Sequence, residues 1–295
     1  MTPSDVTAEI AERVSEWFRD NARPLPWREP DFPAWGTLVS EFMLQQTPVA
    51  RVVPRLQEWL ARWPTPAALA AEPAGEAVRA WNRLGYPRRA LYLHECAVII
   101  TRDHAGIVPD DVDTLLTLPG VGDYTARAVA SFAYARRHPV VDTNVRRVLA
   151  RAVRGVEHPG PPRIRVDLAA MEDLLPSDPV EAQTVNAAVM ELGAIVCTAR
   201  APRCERCPVS DLCAWRAAGF PEFTGTRAPV QKKFAGSDRQ VRGLLLARVR
   251  DSQGPISVAD AQTVWSDAPQ VTRALSGLHR DGLVVIDDGL ISLPQ

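Results

Sequence analysis

Lysine is almost missing from this 295-residue chain. Of 34 basic residues only Lys232 and Lys233 are lysines, leaving 32 arginines. No lysine amine is therefore offered as a nucleophile anywhere before residue 232. Long apolar runs are missing too: nothing approaches the roughly 20 consecutive apolar residues of a membrane span, so no membrane partner is expected. The N-terminal stretch MTPSDVTAEIAERVSEWF carries acids from Asp5 onward and has no basic-then-apolar leader, which predicts a cytoplasmic protein. A net charge of −1 excludes a uniformly basic surface. Arginines nonetheless cluster over 79–89, 146–154 and 200–206, and beside a groove such clusters contact phosphates. Cysteines number five, and without an export signal a disulfide framework is not expected.

Alternation of β-branched residues is nearly absent before Trp215. Helical periodicity runs instead from Val6 to about that residue, broken by turn signals such as RWPTP, LPGVG and LLPSDP. The main body is expected to be all-α. Residues 219–236 mix Pro, Gly, Thr and basic residues without period and read as a linker. Beyond it come an amphipathic helix over 238–251, a short helix capped by Ser257, and a helix closed by Gly282. LVVIDDGLISL then alternates around Asp288-Gly289 as a hairpin. Three helices and a hairpin predict a small winged-helix-like α+β domain at 237–295.

Four of the cysteines, Cys197, Cys204, Cys207 and Cys213, fall within seventeen residues as C-x6-C-x2-C-x5-C. Either a four-thiolate zinc site or an iron–sulfur cluster uses such a set. A zinc ribbon usually shows two CxxC pairs, whereas one is present here, which favours [4Fe-4S]. Cys96, in LHECAVII, reads as a small core residue.

Two further segments carry chemistry-bearing side chains. LPGVGDYTARAVASFAY has a Gly120-x-Gly122 turn opening a helix, whose amides suit an anion. Twenty residues later HPVVDTNVRRVLAR sets Asp142 and Asn144 at a helix entry, where either serves as an N-cap. Upstream, SEFMLQQTP places Glu41, Gln45 and Gln46 in an otherwise apolar helix. On a helical wheel Glu41 falls near Thr37, away from Val39 and Phe42, so periodicity alone leaves it on a solvated face. Pro48 disfavours helix at Thr47 and predicts that the helix stops around Gln45.

A glycine hairpin, Val-Asp about twenty residues on, then the four-cysteine loop, in that order, resemble the helix-hairpin-helix DNA glycosylase superfamily that includes endonuclease III. SEFMLQQT, RLGY and LPGVG are most similar to its MutY-type adenine DNA glycosylases. The resemblance covers about Leu25 to Cys213. It implies a monomer of two helical domains, an iron–sulfur domain at 1–28 and 141–218 and a helical barrel with the hairpin at 29–140, acting on double-stranded DNA with A:8-oxoguanine or A:G mispairs. It also implies excision of the adenine as part of base excision repair, in the cytoplasm with the nucleoid. By the same resemblance Glu41 is the acid at adenine N7, Asp142 the carboxylate beside C1′, and Asn144 the residue that orients it. Tyr124 takes the hairpin position where lyase-competent relatives carry lysine, so a monofunctional glycosylase is implied. Gln46, Thr47, Leu84, Tyr86, Gly120, Gly122 and Arg28 form the DNA-binding set, and the four cysteines the cluster ligands. About eighty residues follow Cys213, too few for the MutT-like domain usual in these enzymes. A thymine or uracil mismatch glycosylase of the same superfamily is the nearest alternative. An iron–sulfur winged-helix regulator, from another class, leaves Glu41, Gln46 and Asp142 without work.

Overall fold

The computed structural model describes residues 2–225 and 234–295; Lys232, Lys233 and part of the expected linker lie outside them. In chain order the helices are α1 (Pro3–Asn21), α2 (Ala34–Leu44), α3 (Val49–Arg62), α4 (Pro66–Ala70), α5 (Ala74–Trp81), α6 (Arg88–Asp103), α7 (Val112–Leu116) and α8 (Asp123–Tyr134). They continue with α9 (Thr143–Ala152), α10 (Ile164–Glu172), α11 (Pro179–Ile195), α12 (Ala214–Ala217), α13 (Asp238–Arg250), α14 (Val258–Gln262) and α15 (Ala268–Arg280). Three short strands, β1 (Ile256–Ser257), β2 (Val285–Asp287) and β3 (Leu290–Ser292), form the antiparallel sheet β1-β3-β2.

Local chemistry starts many of these helices. Thr2 and Asp5 make a reciprocal capping box before α1, with Pro3 at the first helical position. Asp142, Asp178 and Asp267 cap α9, α11 and α15 through their carboxylates. At the Asp288-Gly289 turn both residues adopt left-handed φ, 44° and 74°, as a two-residue hairpin requires. The order α13-β1-α14-α15-β2-β3 is that of a winged helix.

Contacts divide the chain into two units, one of Met1–Phe32, Asp110–Leu116 and Val121–Pro229, the other of Pro33–Pro109, Thr117–Gly120 and Val230–Gln295. In the first, α1 and α9 pack on α11 around Ile10, Val14, Val145, Leu149, Met171 and Leu192. In the second, α4 and α5 pack on α6 and α2 on α3, and Trp59 meets Trp63 and Trp81 edge-on at 4.7 and 5.9 Å. Every residue of α2 from Trp35 to Met43 is buried.

This grouping differs from the expected boundaries. Residues 121–140 join the first unit because α11 binds the end of α8: Asn186 Nδ2 donates to Ser131 Oγ and His138 O, its Oδ1 accepts from Val140 N–H, and Gln183 Nε2 donates to Phe132 O. The C-terminal α+β piece joins the second unit, held there by bonds such as Gly75 N–H to Pro294 O at 2.8 Å.

Candidate functional site

In the first unit the polar centre is the head of α9. Asp142 Oδ1 accepts from the backbone N–H groups of Asn144 and Val145 at 2.8 and 2.7 Å, and its Oδ2 accepts from Asn144 Nδ2 at 2.6 Å. Asp142 is thus both an N-cap and a carboxylate oriented by Asn144. It stays half-buried, and desolvation raises its pKa above the ordinary 3.8 even against those three donors. Asn144 is fixed in turn by Arg147 Nη2, which donates to Asn144 Oδ1 at 2.8 Å and to Gly193 O at 2.6 Å. The Nε of Arg147 donates to Cys197 O at 2.7 Å. Gly193 is required for this approach, since a Cβ there would lie 2.8 Å from Asn144 Cβ.

Arg147 and Arg151 carry this centre to the cysteine loop. Cys197, Cys204, Cys207 and Cys213 line one recess together with Arg151 and Trp215. Arg151 Nη1 lies 3.5 Å from Cys197 Sγ and donates to Thr198 O at 2.8 Å, with its guanidinium 4.7 Å over the Trp215 ring. Burial pushes the Cys207 thiol up to about 11, and burial together with the neighbouring Cys197 and Cys213 sulfurs raises Cys204. The donor set fits an iron–sulfur group: four cysteines line one recess, and coordination would replace their protons with iron. Among the described residues no three His, Cys, Asp or Glu side chains converge on a single-ion site. Cys96 stands apart, buried, with its thiol donating to Pro119 O at 3.1 Å and its pKa raised to about 12 by desolvation.

Glu191 went unnoticed in the sequence. Its side chain is 1% exposed and receives Arg23 through Nε and Nη2, each at 2.7 Å, and Arg28 through Nη2 at 2.9 Å. Burial alone would raise its pKa, but the bonds from Arg23 and Arg28 outweigh it and hold the carboxyl at about 2. Arg28, expected on DNA, is therefore occupied with Glu191 and stacks 4.9 Å from the Phe18 ring. Gly122 is the exposed N-cap of α8, and Tyr124 lies half-buried in its first turn.

In the second unit α2 ends at Leu44 with Gln45 as its C-cap, in line with the effect of Pro48. Glu41 is 6% exposed, not on a solvated face, because α2 is enclosed on all sides. The chain then turns at Gln46, exposed and left-handed with φ 57°. Thr47 is buried and donates to Leu84 O at 3.1 Å, joining this turn to the Asn82–Tyr86 loop. Leu84 itself is 5% exposed, so of the expected wedge pair it is Tyr86, 51% exposed, that projects. Arg89 lies 4.5 Å over the Tyr86 ring and also donates to Gln45 O. Gly120 has φ 73°, and a Cβ there would strike Tyr92 at 2.9 Å, so only glycine fits. Each unit thus assembles its own set: Asp142, Asn144 and the cysteines in one, Gln46, Thr47, Leu84 and Tyr86 in the other.

Comparison with known proteins places both units in one family. Residues 39–170 match the HhH-GPD superfamily of base excision DNA repair proteins, and residues 197–213 the iron–sulfur binding domain of endonuclease III. The chain is 57% identical over 269 residues to the adenine DNA glycosylase of Mycolicibacterium smegmatis, covering 91% of this chain and 90% of that protein. To the adenine DNA glycosylase of Mycobacterium tuberculosis it is 52% identical over 280 residues, covering 94% and 91%. Among solved structures it is similar to a thermostable thymine-DNA glycosylase, at a TM-score of 0.64 and 25% identity, covering 72% of this chain and 98% of that one.

Proposed function

Because this chain belongs to the adenine DNA glycosylases of the HhH-GPD superfamily, we propose that it binds duplex DNA as a monomer at the nucleoid and removes adenine mispaired with 8-oxoguanine or guanine, by hydrolysis alone and without cutting the strand. The chain is a hydrolase of N-glycosyl bonds, and Cys197, Cys204, Cys207 and Cys213 are proposed as the ligands of its [4Fe-4S] cluster. When bound, the cluster ties the 197–213 loop into one rigid piece.

The observation that carries this reading is the state of Asp142: a carboxyl held by three neutral donors, with a pKa raised by burial. Breaking the C1′–N9 bond leaves its electron pair on the base and positive charge on the sugar. A proton from Glu41 to adenine N7 makes the base a better leaving group. Asp142 steadies the cationic sugar at C1′, and water adds there while Asp142 takes up its proton, a role suited to a carboxylate of raised pKa. Asn144 keeps the carboxylate aimed. A base must leave the stack before this chemistry can reach it. Gln46 and Tyr86 are suited to fill the gap, being exposed on turns at left-handed φ, with Thr47 and Leu84 backing them. Gly120 and Gly122 offer backbone amides to a phosphate.

The test is a duplex with A opposite 8-oxoguanine, incubated with the protein and then treated with hot alkali. Strand breaks should appear only after alkali, and borohydride should trap no adduct with the wild type. A T:G duplex run in parallel decides against the thymine-removing alternative if it stays intact. Tyr124→Lys supplies an amine at the hairpin and should create trapping. Breaks without alkali, or trapping by a chain lacking Lys232 and Lys233, would end the monofunctional reading.

A further inference from the structure

The Asn82–Tyr86 loop has an unusual backbone. Three of its five residues adopt left-handed φ: Asn82 at 52°, Gly85 at 90° and Tyr86 at 48°. Glycine bears this without cost, whereas an aromatic residue there is a true outlier. Such a shape persists only where its surroundings over-determine it. Here every carbonyl of the loop is bound. Arg83 O accepts from Arg51, Leu84 O from Thr47 Oγ1 at 3.1 Å, Gly85 O from Trp81 Nε1 at 2.9 Å, and Tyr86 O from Arg89 N–H at 3.0 Å. Three of these donors, Arg51, Trp81 and Arg89, belong to helices around the loop, and Thr47 to the turn between α2 and α3.

The fifth donor comes from elsewhere. Asn82 O accepts from Arg250 Nη1 at 2.6 Å, and Arg250 is the last residue of α13 in the C-terminal domain. Arg250 is 7% exposed, and a guanidinium is buried this far only where acceptors meet it. The contact is returned: Arg79, on α5 just before the loop, donates to Arg250 O and, at 3.4 Å, to Ser252 O. At the other end of α5, Gly75 N–H donates to Pro294 O, and a Cβ on Gly75 would lie 2.5 Å from that oxygen. Both ends of α5 are thus bound by the C-terminal domain.

We propose that this domain, 237–295, shapes the loop that meets the mispair, and that Arg250 is a positioning residue, fixing Asn82 and through it the presentation of Tyr86. The proposal rests on the reading of Tyr86 as DNA-facing. Arg250 itself touches no substrate; it acts through the backbone of the loop.

Hydrogen exchange on the full chain, without DNA, tests the geometry directly. The amides of Asn82 and Leu84 are hydrogen-bonded to Arg79 O and Trp81 O and give measurable protection. Arg250→Met fills the same space without a donor and should speed exchange over 82–86 about tenfold, while α2 and α9 are unchanged. Arg250→Lys keeps a donor and should stay near wild type. Gly75→Ala disturbs the docking without touching Arg250, at a helix position where alanine is favoured, and should copy Arg250→Met. In single turnover on A opposite 8-oxoguanine at saturating enzyme, Arg250→Met should be slower by about tenfold, with Lys restoring most of the rate. Unchanged exchange over 82–86, equal effects of Met and Lys, or a rise spread evenly over the whole unit would overturn the proposal. So would a loosened loop with wild-type excision. If exchange behaves as expected but the wild type releases no adenine, the substrate reading fails and the buttressing of the loop stands.

Discussion

Asp142 and Glu191 are two sequestered carboxylates in one unit, with opposite fates. Asp142, at the head of α9, receives only neutral donors, and burial raises its pKa. Glu191, on α11, receives two guanidiniums and is held at about 2. The first takes up a proton more readily than a free aspartate does; the second holds its charge down to about pH 2. Partner choice, more than depth of burial, decides the direction in which each carboxyl is shifted.

The comparison breaks most visibly at Asp142. Asp142→Asn should slow single-turnover adenine release by roughly a hundredfold or more, and Glu41→Gln likewise. Asn is also a good N-cap and carries no charge to desolvate. Since the folded pKa of Asp142 lies above its ordinary 3.8, the ionised group opposes folding at neutral pH, and the melting temperature of Asp142→Asn should hold or rise. A fall of several degrees would mean the carboxylate is structural. Glu191→Gln should do the reverse, lowering stability by about 2 kcal/mol by urea titration, less than a fully buried pair because Arg23 is 37% exposed. Its excision rate should change far less than that of Asp142→Asn.

A smaller effect sharpens the contrast in acid. With a folded pKa of about 2 against an ordinary 4.5, Glu191 contributes stability that is fully present above 4.5 and is lost as pH falls through 2. The gap between wild type and Glu191→Gln should narrow over that window; a constant gap would show that packing, not charge, is lost. The smallest change is expected at Cys204→Ser, where DNA affinity or solubility should fall before the chemical rate does. An unaffected variant would make the thiolate loop incidental.

What was legible in the sequence was local. The cysteine spacing, the cap at Asp142, the helix end imposed by Pro48 and the Asp288-Gly289 turn all depend on neighbours within a few residues. Glu41 misled the helical wheel because α2 is surrounded on every side, a fact of packing and not of period. Arg147, Glu191 and Arg250 gave no sign, since their partners stand 50 residues away for Cys197 and 168 for both Arg23 and Asn82. The grouping of 121–140 with the first unit and of the C-terminal piece with the second was not legible for the same reason: Asn186 and Pro294 bind segments far off in sequence. Strand β1, only two residues long, is visible only through its pairing with β3.

The Trp59 indole stands edge-on to Trp63 at 4.7 Å and to Trp81 at 5.9 Å. Chromophores this close and crossed at 73° and 84° couple, splitting their shared transition into components of opposite sign in the ultraviolet circular dichroism. All three belong to the unit that carries Glu41, while the sulfur-to-iron colour belongs to the unit that carries Asp142. The molecule therefore carries two native labels at separate wavelengths, one for each carboxylate's scaffold, and the melting of either unit can be watched without attaching a dye.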